Sequence, residues 1–307
     1  MLQVKNLNHY YGHFHALKNI SFSLPPNAIT GLIGQNGAGK STILKTLAGY
    51  LVPAEGSIQV DGLSFADEPI AVRQKIGYMP ESPILYRDMK VTEYLVYVGQ
   101  LKGFSKAVCH QEKDRLIEQC GLKKVHHKLI GNLSKGNRQR AAMAQALIGN
   151  PSILLLDEPT SAMDPAQVIE IRQFIRGLAK NAVVLMSSHI LSEISQVCDY
   201  IVCIRSGEVL YEGTLANLNT RKQVLSGQFT IRLTDFQSEW LPSFDSLPGA
   251  KLQTLGGREM VFNVANSDIF MPSLIQLVAQ KQLPVREMLW GDNHLESLFK
   301  SEDSKIL

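Results

Sequence analysis

Apolar and polar positions alternate along residues 2–7 (LQVKNL) and 18–24 (KNISFSL), the period of half-buried strands. Pro25-Pro26-Asn27 then turns the chain, and 28–33 (AITGLI) is a short apolar run of the kind a fully buried strand shows. That run leads straight into residues 34–41 and a helical pattern (TILKTLAG) that Gly49 closes. Residues 56–60 (GSIQV) read as a further strand before an Asp61-Gly62 turn. From about 91 to 149 the pattern is mostly helical. Ile153–Leu156, 182–186 and 200–204 are again short apolar runs. Between the first two, an amphipathic helix spans 165–180, opened by Asp164 as cap and Pro165 at its first position. Strands alternating with helices predict an α/β fold with a mainly parallel sheet. The helical stretch, about 85–149, reads as an insertion into it.

The texture changes near residue 218. Alternating runs at 228–233, 251–255 and 259–264 predict half-buried strands, with Gly256-Gly257 turning a hairpin between the last two. A helix over 268–281 and a strand over 284–290 follow. The expected organisation is therefore residues 1–218 as one α/β unit and 219–307 as a small α+β unit. Both tryptophans, Trp240 and Trp290, fall in the second.

Composition narrows the function classes. The 307 residues carry 45% hydrophobic and 19% charged side chains, the profile of a folded chain. The formal net charge is only +3, with a net of −2 over residues 222–307, so neither part predicts a nucleic-acid surface. No apolar run approaches the roughly 18 residues of a membrane span, and the first residues lack an apolar signal core, so no direct membrane insertion and a cytoplasmic location are expected. Cys109, Cys120, Cys198 and Cys203 form no CxxC pair and read as small core residues in a reducing compartment.

The candidate chemistry starts at Gly34-Gln35-Asn36-Gly37-Ala38-Gly39-Lys40-Ser41, which fits G-x-x-x-x-G-K-[ST] with a strand before and a helix after. Its glycines let backbone amides wrap phosphate oxygens, and the following helix, with Thr42 in its first turn, presents its positive end to the same anion. Lys40 is placed to reach the β- and γ-phosphates, and the Ser41 hydroxyl to ligate Mg²⁺. A second metal anchor is expected at Asp157, delivered with Glu158 at the carboxyl end of an apolar strand, where open α/β sheets bind ligands. Glu158 is the candidate to orient or deprotonate the water that attacks the γ-phosphate. These two motifs predict a phosphate-loop nucleotidase and leave kinases and GTPases open.

Leu133-Ser134-Lys135-Gly136-Asn137-Arg138-Gln139-Arg140 resembles the signature motif of ATP-binding cassette (ABC) ATPases, usually LSGGQ followed by a QR pair. It precedes Asp157-Glu158-Pro159-Thr160, as in that family; Ser161-Ala162-Met163-Asp164 looks like the D-loop, and His189 in Ser187-Ser188-His189 matches the switch histidine. Tyr11 stands where the family stacks an aromatic on adenine, with Tyr10 as the competing choice. Alone, the Ser134 stretch would read as an ordinary helix cap. The resemblance, over about residues 2–218, implies a cassette with a mainly parallel core sheet, an antiparallel β subdomain and an inserted helical subdomain. It implies ATP and Mg²⁺, with His189 at the γ-phosphate and Ser134 and Gly136 closing over the γ-phosphate of an opposite subunit.

The motifs depart from the family pattern in places. Lys135 replaces a usual glycine and Asn137 a usual glutamine. Glu81 stands where glutamine often links the core to the helical subdomain, a glutamate common in exporter branches and a candidate metal or water contact. Asn27 replaces a frequent turn glycine and suits a positive φ. Leu295-Glu296-Ser297-Leu298-Phe299 looks like the ending of ABC-2-type export ATPases; a generic amphipathic helix is the alternative. The resemblance thus implies an exporter's ATPase subunit held at the cytoplasmic face of the inner (plasma) membrane by separate permease subunits. It implies a second ATPase subunit, identical or not, facing it head to tail. A soluble ABC ATPase of translation or DNA maintenance is the rival, disfavoured by a single cassette without sustained heptads.

Overall fold

A computed structural model describes residues 1–161, 163–215, 217 and 227–290. Ala162, the expected boundary near 218 and the Leu295–Phe299 ending lie outside the described residues. The chain divides into two compact units, Met1–Leu215 and Ala216–Leu307.

The first unit opens with a long hairpin, β1 (Leu2–Tyr11) against β2 (Phe14–Leu24). Both strands outrun the expected 2–7 and 18–24, because cross-strand pairing carries the polar stretch Asn8–Tyr11 that alternation alone does not. With β4 (Glu55–Val60) and the short β5 (Leu63–Ser64) they form an antiparallel sheet of order β2-β1-β4-β5. The core sheet follows the order β10-β9-β3-β8-β7-β6. Within it, β3 (Ile29–Ile33), β6 (Ile76–Met79), β7 (Ile153–Leu156), β8 (Val183–Ser188) and β9 (Tyr200–Arg205) run parallel, and β10 (Glu208–Thr214) closes the edge antiparallel to β9. Every residue of β3, β7 and β8 is buried, as strands covered on both faces must be. The antiparallel sheet and core sheet share one apolar core, into which α1 (Lys40–Leu47) sends Ile43, Leu44 and Leu47.

Helices fill the connections. The insertion between β6 and β7 holds α3 (Val91–Leu101), α4 (Lys106–Gln119) and α5 (Lys135–Ala146), after a short α2 (Pro69–Gln74) ahead of β6. α6 (Pro165–Leu178) begins as its sequence predicts: the Asp164 carboxylate accepts from the Gln167 amide at 2.9 Å. α7 (Leu191–Val197) follows β8. Five elements of this unit had no periodic signal: α2, β5, β6, α7 and β10. β6 is only IGYM and is defined by pairing with β7. β10 had a readable cue in Ser206-Gly207, whose φ values of 51° and 83° are those of a tight hairpin turn. Asn27 takes φ 54°, as a turn asparagine can. All four cysteines are buried and free.

The second unit is an antiparallel sheet of order β12-β13-β11-β14, from β11 (Gly227–Leu233), β12 (Ala250–Gly256), β13 (Glu259–Val264) and β14 (Val285–Trp290), with α8 (Leu241–Asp245) and α9 (Ser267–Lys281). The expected β12–β13 hairpin turns at Gly257, φ 61°. Its core is aromatic: Phe229, Phe244, Phe262 and Phe270 are fully buried, with the Phe262 and Phe270 ring centroids 5.3 Å apart.

Candidate nucleotide site

The parallel order brings the carboxyl ends of β3, β8, β7 and β6 side by side, and each delivers a candidate residue to that edge. β3 runs into the glycine loop. Gly39 takes φ 110°, a conformation closed to side-chain-bearing residues, and α1 starts at Lys40 immediately after it. The helix thus begins two residues earlier than its apolar periodicity predicts, because the loop itself forms the first turn. Ala38 N–H donates to the Gln35 carbonyl at 3.1 Å, tightening the loop. The hairpin of β1 and β2 backs the loop: Leu17 lies 3.0 Å from where a Gly39 Cβ would sit.

Lys40 is buried, and its ammonium donates to the Gly34 and Gln35 carbonyls at 2.8 and 3.2 Å. Burial lowers its pKa below the ordinary lysine value, against the opposing fields of Glu158, Asp157 and Glu81. Lys40 therefore lies within the electrostatic field of carboxylates from two strand ends. Ser41 and Thr42 are half-buried in the first turn of α1.

Asp157 and Glu158, both buried, leave β7. The Ser187 hydroxyl donates to Asp157 Oδ1 at 2.7 Å and accepts from the Glu158 amide at 2.9 Å, so one serine at the end of β8 fixes both acids. Glu158 has φ 47°, an uncommon backbone for a glutamate, and this turns its carboxylate toward His189. His189 Nδ1 lies 2.9 Å from Glu158 Oε2. An ionised Glu158 accepts there, which puts the proton on Nδ1.

Glu81, exposed just beyond β6, lines a cavity of about 410 Å³ with Lys45, Tyr78 and Asp157. It also lines one of about 300 Å³ with Arg87, Lys135, Arg138 and Ser161. The Asp157 amide donates to the Met79 carbonyl at 2.8 Å, tying the two strand exits together. Ser41, Asp157 and Glu81 offer oxygen only, a donor set that suits Mg²⁺. Among the described residues there is no group of three or more His, Cys, Asp or Glu placed to hold a metal ion.

Ser134 caps α5 by accepting from the Asn137 amide at 3.3 Å. Gly136 has a local reason: the Gln167 side-chain oxygen lies 2.5 Å from where a Cβ would stand. Gln139 is buried and donates to the Pro159 carbonyl at 3.3 Å, so the signature helix is fastened to the loop that carries Glu158. The hydrogen bonds and close approaches of Ser134 and Gly136 run to Asn137 and Gln167, away from the Lys40 cluster. Tyr11 and Tyr10 are about equally exposed, at 47% and 46%. They differ in what covers them. His15 stacks face to face on Tyr10 at 4.1 Å, whereas Tyr11 meets only the edge-on ring of His9 at 4.9 Å. Ser187, Ser188, Thr160, Gln139 and Glu193 had no role in the sequence reading. The signal for Glu193 was a charged residue on the inward face of a short helix, visible only once α7 is placed.

The ABC transporter family profile matches residues 17–161. The ABC transporter ATP-binding protein YxlF of Bacillus subtilis is 39% identical over 241 residues, 78% of this chain and 79% of YxlF. This chain belongs to the ABC transporter ATP-binding family. The bacitracin transport ATP-binding protein BcrA of Bacillus licheniformis is 33% identical, covering 73% of this chain and 72% of its own. Among solved structures, an ATP-binding subunit of an ABC transporter superposes with a TM-score of 0.66 at 30% identity, over 72% of this chain and 92% of that one. A dimeric ATP-binding cassette in a post-hydrolysis state with ADP and Pi superposes with a TM-score of 0.63 at 26% identity, over 70% and 99%. As an ABC ATPase, the chain binds and hydrolyses ATP. No helix among the described residues is long and apolar enough to cross a membrane.

Proposed function

We propose that this chain is the ATPase subunit of an exporter, working on separate membrane-spanning permease subunits through ATP-driven pairing of two cassettes. The observation that carries the reading is that Ser187 fixes Asp157 and Glu158 together at the strand edge next to the phosphate loop, with His189 Nδ1 2.9 Å from the Glu158 carboxylate. In this reading residues 34–42 cradle the phosphates, and Tyr11 offers its freer ring face to the base. Glu158 accepts a proton as water attacks the γ-phosphorus, ADP leaves, and His189 holds the γ-phosphate oxygens or the attacking water. Ser41, Asp157 and Glu81 would hold Mg²⁺, which when bound would neutralise charge on the phosphates. Ser134 and Gly136 close on the ATP of a second copy, so one chain supplies half of each composite site. The dimeric relative supports the pairing, and the bacitracin transport relative supports export.

The stroke passes to permease helices docked near Glu81–Arg87. Ile84 and Tyr86 are exposed there without a covering element, and a neighbouring cavity of about 390 Å³ between Tyr50, Ile70 and Leu101 continues the apolar surface. The chain then sits peripherally at the cytoplasmic face of the plasma membrane. The test is Glu158→Gln with ATP and Mg²⁺, read by gel filtration and by co-purification from detergent-solubilised membranes. A trapped dimer that brings down a multi-span partner is expected. A variant that stays monomeric with ATP bound removes the pairing, and Tyr86→Glu and Arg87→Glu substitutions that leave co-purification untouched remove the docking site.

A further inference from the structure

Glu193, on α7 four residues beyond His189, is an acidic side chain in the core, 4% exposed. Its Oε2 accepts from the Thr160 hydroxyl at 2.7 Å and from the Ser188 hydroxyl at 3.1 Å. Its Oε1 faces an Arg172 guanidinium nitrogen of α6 at 3.3 Å. Ser188 in turn accepts from the Ile190 amide at 3.0 Å, bracketing His189. Thr160 lies two residues past Glu158, and Ser188 lies one residue before His189. A single carboxylate oxygen therefore joins the chain that carries the candidate base to the chain that carries the switch histidine.

The two serines ending β8 divide this task. Ser187 holds Asp157 and the Glu158 amide directly, while Ser188 reaches Thr160 only through Glu193. The Glu158 segment, strained at φ 47°, is thus pinned on both sides. A buried carboxylate is costly unless its lone pairs are filled, and of its three donors here the Thr160 and Ser188 hydroxyls cannot both be kept if the two loops move apart. We propose that Glu193 is a positioning residue that sets the separation of Glu158 and His189 by holding Thr160, two residues past the base, against Ser188. The inference rests on the roles proposed above for Glu158 and His189.

The test compares full-length parent, Glu193→Gln, Thr160→Val, their double variant and Glu158→Gln for ATP turnover, KM for ATP and thermal midpoint. Misplacing a catalytic pair by about an ångström lowers turnover roughly 10- to 100-fold. Glu193→Gln is expected to lower kcat by about that factor with KM within about twofold. Thr160→Val is expected to lower kcat at least about threefold, and the double variant to be no worse than Glu193→Gln alone, since both cut one link. Full turnover per folded molecule in Glu193→Gln, or losses that multiply in the double variant, would overturn the proposal. If Glu193→Gln fails to fold, unchanged kcat in the near-isosteric Thr160→Val overturns it equally. Glu158→Gln separates the failures. Retained turnover in that variant removes the base itself, while a dead Glu158→Gln beside an unaffected Glu193→Gln removes only the positioning role.

Discussion

The two units bury different chemistry. In Met1–Leu215 the interior contains Lys40, Gln139, Asp157, Glu158, Thr160, Ser187, Ser188 and Glu193, most of them linked by hydrogen bonds near one sheet edge. Among the described residues, the second unit buries no polar side chain. Its core is phenylalanine and aliphatic residues, and its charges pair on the surface, Arg232 with Glu259 at 2.6 Å and with Glu287 at 2.7 Å. Burying polar groups costs free energy that apolar packing does not, so such clusters persist where geometry must be held for a reaction. The contrast places the buried polar network in the first unit alone among the described residues.

The sharpest attack on that contrast is Glu158→Gln, for which a loss of about 10²- to 10⁴-fold in steady-state turnover is expected with ATP binding retained. Next comes the core of the second unit. Phe270→Ala is expected to cost about 3–5 kcal/mol in its unfolding, read by denaturant titration of Trp240 fluorescence, while ATP affinity is unchanged. A matching fall in ATP affinity would break the separation of roles. Lys40→Ala is expected to weaken ATP binding about 10- to 100-fold by calorimetry, because the phosphates lose a desolvated cation. Ser187→Ala, which frees Asp157 and the Glu158 amide together, is expected to lower kcat about 3- to 10-fold.

The smallest effect is a titration. Lys102 donates to the Ile148 carbonyl at 3.1 Å, and burial lowers its pKa to about 8. The unfolded chain keeps this lysine protonated up to its ordinary value, so it holds more protons than the folded one above pH 8. Stability is therefore expected to rise with pH through that window, by about 1 kcal/mol between pH 8 and about 9. Lys102→Met is expected to flatten this rise in a chemical denaturation series.

Much of this was legible before any coordinates. The loop from Gly34 to Ser41 carries its own geometry, because glycine spacing, a buried strand and a helix start are all local. The runs Ile153–Leu156 and 182–186 announce themselves as buried strands by composition, though the second strand in fact extends through Ser188. β6 does not: four residues with a central glycine become a strand only beside β7. The choice between Tyr10 and Tyr11 was equally closed to sequence, since it depends on His15 arriving from the opposite strand. Glu193 was illegible for the same reason. Its partners come from Thr160, Arg172 and Ser188, and no spacing within one segment reports a meeting of three.

The placement of β6 has a mechanical consequence. It is an edge strand with one sheet neighbour, it ends at Met79 two residues before Glu81, and it runs parallel and in register with β7 from Ile76 opposite Ile153 to Met79 opposite Leu156. Force applied along its axis loads all of these ladder bonds at once, as shear. Force applied away from the sheet opens them one at a time, as unzipping. A partner tugging on the loop after Met79 would therefore meet a stiff element in one direction and a compliant one in the other, and only the stiff direction delivers displacement to Asp157 through its amide bond to Met79.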